Sequence, residues 1–126
     1  MPLLDTVVSL LLVEDHDELR AALRDWLLTS VHSVKLREAR NLDEALACAR
    51  SSNLDLVLMN LELPGANGIK ATRELRRRYP GCKVVLMSLS DSEALRSAAI
   101  EAGALDLVSK RALPHALLPI LGRLAA

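Results

Sequence analysis

Residues 55–68 read DLVLMNLELPGANG, and this stretch carries the clearest folding signal in the chain. Residues 55–59 predict a strand, because their continuous run of Leu, Val and Met is typical of a strand that is buried on both faces. The loop that follows contains the dipeptides PG and NG, which favour turns and permissive backbone angles. Residues of one helical face then recur at Ile69, Thr72, Leu75 and Tyr79. The stretch therefore predicts one unit of strand, loop and helix.

The same unit recurs on both sides of this stretch. Further strands are predicted at residues 7–13, 34–38, 84–87 and 105–108, each followed by residues that share one helical face. Units of this kind with short connections build a parallel sheet that helices cover on both faces. The 126 residues fit one domain. We therefore predict a single α/β domain over residues 1–126, with a five-stranded parallel sheet in the order 2-1-3-4-5.

Local signals place several helix ends. Asn41 with Glu44 has the spacing of a cap for the second helix, and Ser90 with Glu93 has capping-box spacing for the fourth. In the last helix, Pro119 lies beyond the first turn and has no backbone N–H to donate. We therefore predict a kink or a delayed helix start near Pro119.

The composition excludes several function classes. Lys and Arg total 16, as do Asp and Glu, so the net charge is zero and gives no whole-domain basis for binding nucleic acid or anionic membranes. Cys48 and Cys82 have no metal-ligand spacing and are expected to be small buried thiols in a reducing compartment. No apolar stretch reaches the roughly 18–20 residues of a membrane helix. The opening residues also lack a basic leader, so we expect a cytoplasmic protein.

Polar residues gather where the predicted strands end. The first strand is followed by Glu14 and Asp15, the third by Asn60, the fourth by Ser88 and the fifth by Lys110. The carboxyl ends of parallel strands lie along one edge of a sheet, where α/β proteins bind ligands. Each residue alone has an ordinary explanation, such as Asp15 as a helix cap or Lys110 as a solvated lysine. Their joint placement predicts a polar site.

Four segments, LLVEDH, DLVLMNLELPGANG, VVLMSLSD and GALDLVSK, resemble the signature segments of response-regulator receiver domains. The resemblance covers essentially the whole chain and implies a flavodoxin-like (receiver-like) fold, a role in two-component signalling and no enzyme activity. In that family an acidic pair helps to hold Mg²⁺, an aspartate accepts a phosphoryl group, a Ser or Thr senses it and a lysine contacts it. By position, Glu14 and Asp15 are the acidic pair, Asn60 is at the phosphoacceptor position, Ser88 is the sensor and Lys110 is the lysine.

Two residues depart from the family pattern. A carboxamide is uncharged and its nitrogen lone pair is delocalised, so Asn60 cannot serve as the carboxylate nucleophile that forms an acyl phosphate. Leu107 stands where the family commonly has an aromatic residue that moves on activation. The lost anion also weakens the implied Mg²⁺ site, whose ligands would be Glu14 and Asp15 with the amide oxygen of Asn60 and the backbone of Glu62.

Neighbouring side chains are poor substitutes for an acceptor aspartate. Asp55 is predicted at the opposite end of the third strand. Glu62 belongs to the right loop, but nothing in the sequence directs its carboxylate into the site. His16, His32 and His115 are expected to be solvated residues rather than metal ligands.

Three interpretations follow. The first is a pseudo-receiver that regulates a histidine kinase, an effector domain or another signalling protein by protein–protein interaction, with the last helix region as a homodimer contact. The second is a phosphorylatable phosphorelay receiver in which the acceptor aspartate has been replaced by Asn60, a choice that codon 60 of the gene decides. The third is a flavodoxin-like nucleotide- or flavin-binding domain. That domain would need a glycine-rich phosphate loop after the first strand, where this chain has the acidic sequence EDHD.

Overall fold

The computed structural model describes residues 7–31, 33–90 and 92–125. Its elements in chain order are β1 (Val8–Val13), α1 (Asp17–Ser30), β2 (Val34–Ala39), α2 (Leu42–Ser51), β3 (Leu56–Asn60), β4 (Glu62–Leu63), β5 (Ala66–Asn67), α3 (Gly68–Arg78), β6 (Lys83–Ser88), α4 (Glu93–Glu101), β7 (Asp106–Ser109), a 3-10 turn (Lys110–Ala112) and α5 (Leu113–Ala125). The five predicted strands are all present, and no strand end differs from its prediction by more than one residue.

Five strands form one parallel sheet in the order β2-β1-β3-β6-β7. The two-residue strands β4 and β5 form a separate antiparallel hairpin, with Leu63 opposite Ala66. Counted among the strands of the main sheet alone, the order is therefore the predicted 2-1-3-4-5, and the fold class is confirmed. The hairpin lies in what the sequence predicted as a loop, and Gly65 at its tip has a φ of 67°, which only glycine adopts at no steric cost.

Side chains of the central strand β3 alternate between two cores. Val57 and Met59 join the core that α2, α3 and α4 cover, whereas Leu58 joins the core that α1 and α5 cover. Because both faces of the sheet are buried, a continuous apolar strand is favoured here. The carboxyl ends of the strands are left along one edge of the sheet, and this edge carries the candidate site.

The predicted cap is correct for α2 and wrong for α4. Asn41 is the N-cap of α2, and its side-chain oxygen accepts a hydrogen bond from the Glu44 backbone N–H at 2.9 Å. Ser92, rather than Ser90, caps α4 and accepts a hydrogen bond from the Leu95 N–H at 3.3 Å. Ser90 is not the cap because α4 begins at Glu93, which leaves Ser90 outside the helix and its first flanking residue.

The prediction of a helix start delayed to Pro119 is wrong, because α5 is continuous from Leu113 to Ala125. Pro119 cannot bond the carbonyl group of His115, four residues earlier. Both residues are exposed, so this carbonyl lies on the solvent side of the helix, where water can satisfy it. A kink at Pro119 stays a prediction.

Within residues 7–31, 33–90 and 92–125, none of the helices has the length and apolar character needed to cross a membrane. The prediction that the opening residues contain no basic leader also concerns residues 1–6, which lie outside the described residues. The expectation that His32 is solvated likewise concerns a residue outside them.

Candidate functional site

The ends of the parallel strands bring most of the predicted site residues to one edge of the sheet. Glu14 and Asp15 directly follow β1, Asn60 is the last residue of β3, and Lys110 directly follows β7. These four residues line an open cleft of about 360 Å³, together with His16, Leu19, Glu62 and Leu89. The cleft is polar at its buried end, where Glu14 and Asn60 lie, and has an exposed leucine, Leu89, at its rim.

Glu14 and Lys110 form an ion pair in this cleft. Lys110 Nζ lies 2.9 Å from Glu14 Oε1. Glu14 is 1% exposed and the Lys110 side chain 12% exposed, so their attraction is screened less than that of a surface pair. Glu14 Oε2 accepts a hydrogen bond from the His16 backbone N–H at 3.1 Å. The pair therefore ties the segment after β1 to the segment after β7.

Asn60 uses its side-chain nitrogen to bridge three oxygens. Asn60 Nδ2 donates to the Glu62 carbonyl at 2.7 Å, to Asp15 Oδ1 at 3.2 Å and to Glu14 Oε2 at 3.4 Å. Asn60 Oδ1 accepts a hydrogen bond from the Glu62 N–H at 3.3 Å. The opposite orientation of the amide would place an oxygen against two carboxylates and a carbonyl, so the surroundings favour this one.

Ser88 is buried beside this cleft rather than in its lining. It lines a second cleft of about 470 Å³, which shares Glu62 with the first. Ser88 Oγ accepts a hydrogen bond from the Ser90 N–H at 3.1 Å. The structure thus brings four of the five predicted residues together and places the fifth next to them.

Mg²⁺, which the resemblance implies at this edge, does not fit the side chains as they stand. Mg²⁺ requires hard oxygen ligands, and the oxygens of Glu14, Asp15 and Glu62 that would supply them already face the N–H groups of Asn60. A cation placed there would meet the positive end of the amide dipole. Among the described residues, no group of three or more acidic, His or Cys side chains could hold a metal ion. Mg²⁺ binding would require the Asn60 amide to rotate so that Oδ1, rather than Nδ2, faces the cation.

Nearby residues that were weighed as substitutes lie elsewhere or face solvent. Asp55 is at the other end of β3, where its carboxylate accepts a hydrogen bond from the Ser9 N–H at 2.8 Å. Glu62 is exposed and contacts Asn60 through its backbone. Leu107 is 7% exposed and belongs to the core under α2, α3 and α4.

Sequence reasoning missed two contributions near the site. His16 is exposed as expected, but it is also the N-cap of α1, and its Nδ1 accepts a hydrogen bond from a first-turn N–H at 3.2 Å. Asp15 is therefore not the cap. Arg20 donates to the Glu14 carbonyl at 2.8 Å and pairs with Asp17 at 2.7 Å. The three-residue spacing of Asp17 and Arg20 was a signal for their pairing, whereas no local pattern indicated the contact with Glu14.

The chain is similar to known signalling proteins. Residues 10–121 match the family described as the response regulator receiver domain. The chain is 34% identical to the transcriptional activator protein ExaE of Pseudomonas putida over 119 residues. The matched region covers 94% of this chain and 56% of that protein. It is 31% identical to the response regulator UvrY of Escherichia coli K12 over 110 residues, and this region covers 86% of this chain and 50% of that protein. The chain thus spans about half the length of these curated relatives.

A crystal structure of a two-component response regulator of the LuxR family from Aurantimonas sp. SI85-9A1 has the same fold. Its TM-score is 0.85 at 31% identity, over 95% of this chain and 86% of that chain. The interpretation as a nucleotide- or flavin-binding domain has no comparable support, because acidic residues rather than a glycine-rich loop follow β1. The chain belongs to the response regulator receiver domain family.

Proposed function

We propose that this receiver domain acts in two-component signalling by protein–protein interaction, as a pseudo-receiver that accepts no phosphoryl group at residue 60. The observation that carries the proposal is Asn60 itself, which ends β3 in the cleft lined by Glu14, Asp15 and Lys110. By the family pattern this is the phosphoacceptor position, and a carboxamide lacks the anionic oxygen that forms an acyl phosphate. Ser88 and Lys110 then match the family's phosphate-sensing residues, although no phosphoryl group is formed at residue 60 for them to contact.

Other carboxylates near the cleft are poorly placed to replace an acceptor aspartate. Glu14 is buried and paired with Lys110. Asp15 accepts a hydrogen bond from Asn60 Nδ2. Glu62 meets Asn60 through its backbone while its side chain is exposed. These contacts support a domain whose signalling does not depend on acyl-phosphate chemistry.

The partners that we propose are those of response regulators in general: a histidine kinase, an effector domain or another signalling protein. One relative is named a transcriptional activator, which supports an effector domain as the output partner. The α5 region is the proposed homodimer contact, because Leu118 on this helix is 43% exposed. Burial of such a side chain in an interface would contribute about 1–2 kcal/mol to association.

A second candidate function is that of a phosphorylatable receiver in which asparagine replaces the acceptor aspartate. It is favoured by the residue types at positions 14, 15, 88 and 110, all of which match the family pattern. Codon 60 of the natural gene separates the two candidates. An asparagine codon supports the pseudo-receiver, and an aspartate codon supports the replacement.

The proposed function predicts that phosphodonors leave the conformation of the domain unchanged. Amide hydrogen exchange over α4, β7 and α5 can be measured with and without acetyl phosphate and Mg²⁺, together with the molar mass in solution. We expect identical exchange and identical mass for the chain with Asn60, and a response in the Asn60→Asp variant. A change that depends on the phosphodonor while Asn60 is present would contradict the proposal.

A further inference from the structure

Three oxygens from separate parts of the chain converge on one nitrogen. Glu14 and Asp15 supply carboxylate oxygens from the segment after β1, and Glu62 supplies its carbonyl from the loop after β3. The Asn60 amide has two N–H groups for these three acceptors. The shortest contact, 2.7 Å, is to Glu62, and the contacts to Glu14 and Asp15 are longer because they share the remaining hydrogen.

The N–H groups of Asn60 reduce the repulsion between these oxygens, as a bound cation would. Two carboxylates and a carbonyl at one place repel one another unless a positive group lies between them. Lys110 offsets the charge of Glu14 at its Oε1 atom, whereas the amide of Asn60 contacts the other oxygen, Oε2. The N–H groups of Asn60 are the donors that face Oε2 and Asp15 Oδ1 together.

An aspartate at this position could not make the same contacts. An ionised carboxylate only accepts hydrogen bonds, so it could keep the contact with the Glu62 N–H. The three contacts that Asn60 Nδ2 makes would become oxygen–oxygen contacts, two of them between like charges. The pocket of an aspartate form would therefore need a cation that the asparagine form does not need.

We propose that the Asn60 carboxamide nitrogen takes the place of the divalent cation, so that the acidic pocket and the loop after β3 are assembled without metal. The loop is tied by both backbone groups of Glu62. Mg²⁺ then has no position to occupy unless the Asn60 amide rotates and gives up its contacts with these oxygens. This inference concerns the metal and the loop, and it stands whether or not signalling depends on a phosphodonor.

Thermal unfolding with EDTA and then with excess Mg²⁺ tests this inference. The unmodified chain should melt within about 1 °C of the same temperature in both buffers. Asn60→Asp should melt about 5 °C lower in EDTA and recover most of that difference in Mg²⁺, because the metal binds only the folded form. The control is Asn53→Asp, which adds the same charge at an exposed residue before β3. We expect it to melt like the unmodified chain in both buffers.

A second variant keeps the test decisive if Asn60→Asp fails to fold without metal. Asn60→Ala removes the bridge and adds no charge, so it should melt below the unmodified chain in EDTA. Mg²⁺ should restore part of that difference, because the oxygens that Asn60 Nδ2 contacted are then open to the cation. Equal melting temperatures for Asn60→Ala and the unmodified chain in EDTA would show that the bridge contributes nothing and would overturn the inference. The inference would also be overturned if Mg²⁺ raised the melting temperature of the unmodified chain as much as it raises that of Asn60→Asp. Neither result depends on phosphoryl transfer, so neither bears on the proposed function.

Discussion

Gly68 and Leu61 lie in direct backbone contact across the β4–β5 hairpin. The Gly68 N–H donates to the Leu61 carbonyl at 2.8 Å. A Cβ atom on Gly68 would lie 2.7 Å from that oxygen and 2.8 Å from the Leu61 Cα. The first residue of α3 is therefore a glycine because its neighbour is backbone that cannot move aside. This contact closes the loop that carries Glu62 into the candidate site.

Gly68→Ala should lower the free energy of unfolding by about 1–3 kcal/mol, because the added methyl overlaps rigid backbone. Chemical denaturation monitored by circular dichroism measures this difference. Gly81→Ala is the matched control, since a Cβ atom there meets nothing within 4 Å. It should be neutral or raise stability by up to about 1 kcal/mol. Equal effects of the two substitutions would refute the close-contact explanation.

Lys110→Met should destabilise the fold by about 2–3 kcal/mol. The substitution keeps an unbranched side chain but leaves Glu14, which is 1% exposed, without its cationic partner. The loss should lie below that of a fully buried pair because the cleft admits water. Arg111→Met changes the same charge at the next, exposed residue and should cost less than about 0.5 kcal/mol. If both variants unfold at the same denaturant concentration, the ion pair contributes no stability.

Cys48 and Cys82 are both free thiols, but only Cys82 is buried as predicted, since Cys48 is half-buried. The two should therefore differ in reactivity. Burial raises the pKa of the Cys82 thiol from 9.0 to about 11. At pH 8 about one Cys82 thiol in a thousand is then ionised, so iodoacetamide should modify the half-buried Cys48 at least about tenfold faster. Peptide mass mapping over time measures both rates. In denaturant the rates should converge, and a Cys82 that reacts as fast as Cys48 in the folded protein would contradict its burial.

The same shift gives stability a pH dependence with a defined sign. The folded-state pKa of Cys82 lies above the unfolded-state value, so unfolding releases a proton between these two values. This contribution to stability is complete below pH 9 and is lost as the pH rises through about 11. Replacing Cys82 with Ala should flatten the loss of stability over that range, measured by denaturation at several pH values. An unchanged slope would show that other groups cause the loss.

The main features of the fold could be predicted because each depends on local pattern. The apolar run at residues 56–59 indicated a strand with two buried faces, and the structure buries it in two cores. The cap of α4 was mispredicted because Ser90 and Ser92 are both cap-forming residues, and spacing to Glu93 favoured Ser90, whereas the helix begins only at Glu93 and is capped by Ser92. Pro119 indicated either a kink or a delayed helix start, and only the delayed start is wrong, because the helix continues through a proline whose side faces water.

The positions of the candidate site residues could also be predicted from local pattern, whereas one of their contacts could not. The positions of Glu14, Asp15, Asn60 and Lys110 follow from strand ends, which periodicity locates well. The donor role of Asn60 does not follow, because it depends on where the Glu62 carbonyl points after the hairpin has closed. The sequence indicates that position 60 lacks a nucleophilic carboxylate. Only the folded loop shows that the amide nitrogen donates to three oxygens instead.

The central claim is that the receiver takes up no phosphoryl group, at Asn60 or at another residue of the cleft, and intact-mass spectrometry tests it most directly. The chain is incubated with acetyl phosphate and Mg²⁺ beside Asn60→Asp, which restores the carboxylate and shows that the donor is active. We predict that the mass of the unmodified chain stays unchanged, while Asn60→Asp gains the mass of one phosphoryl group that is lost again on hydrolysis. A phosphoryl adduct on the unmodified chain, mapped to Glu62 or another residue of the cleft, would contradict the account.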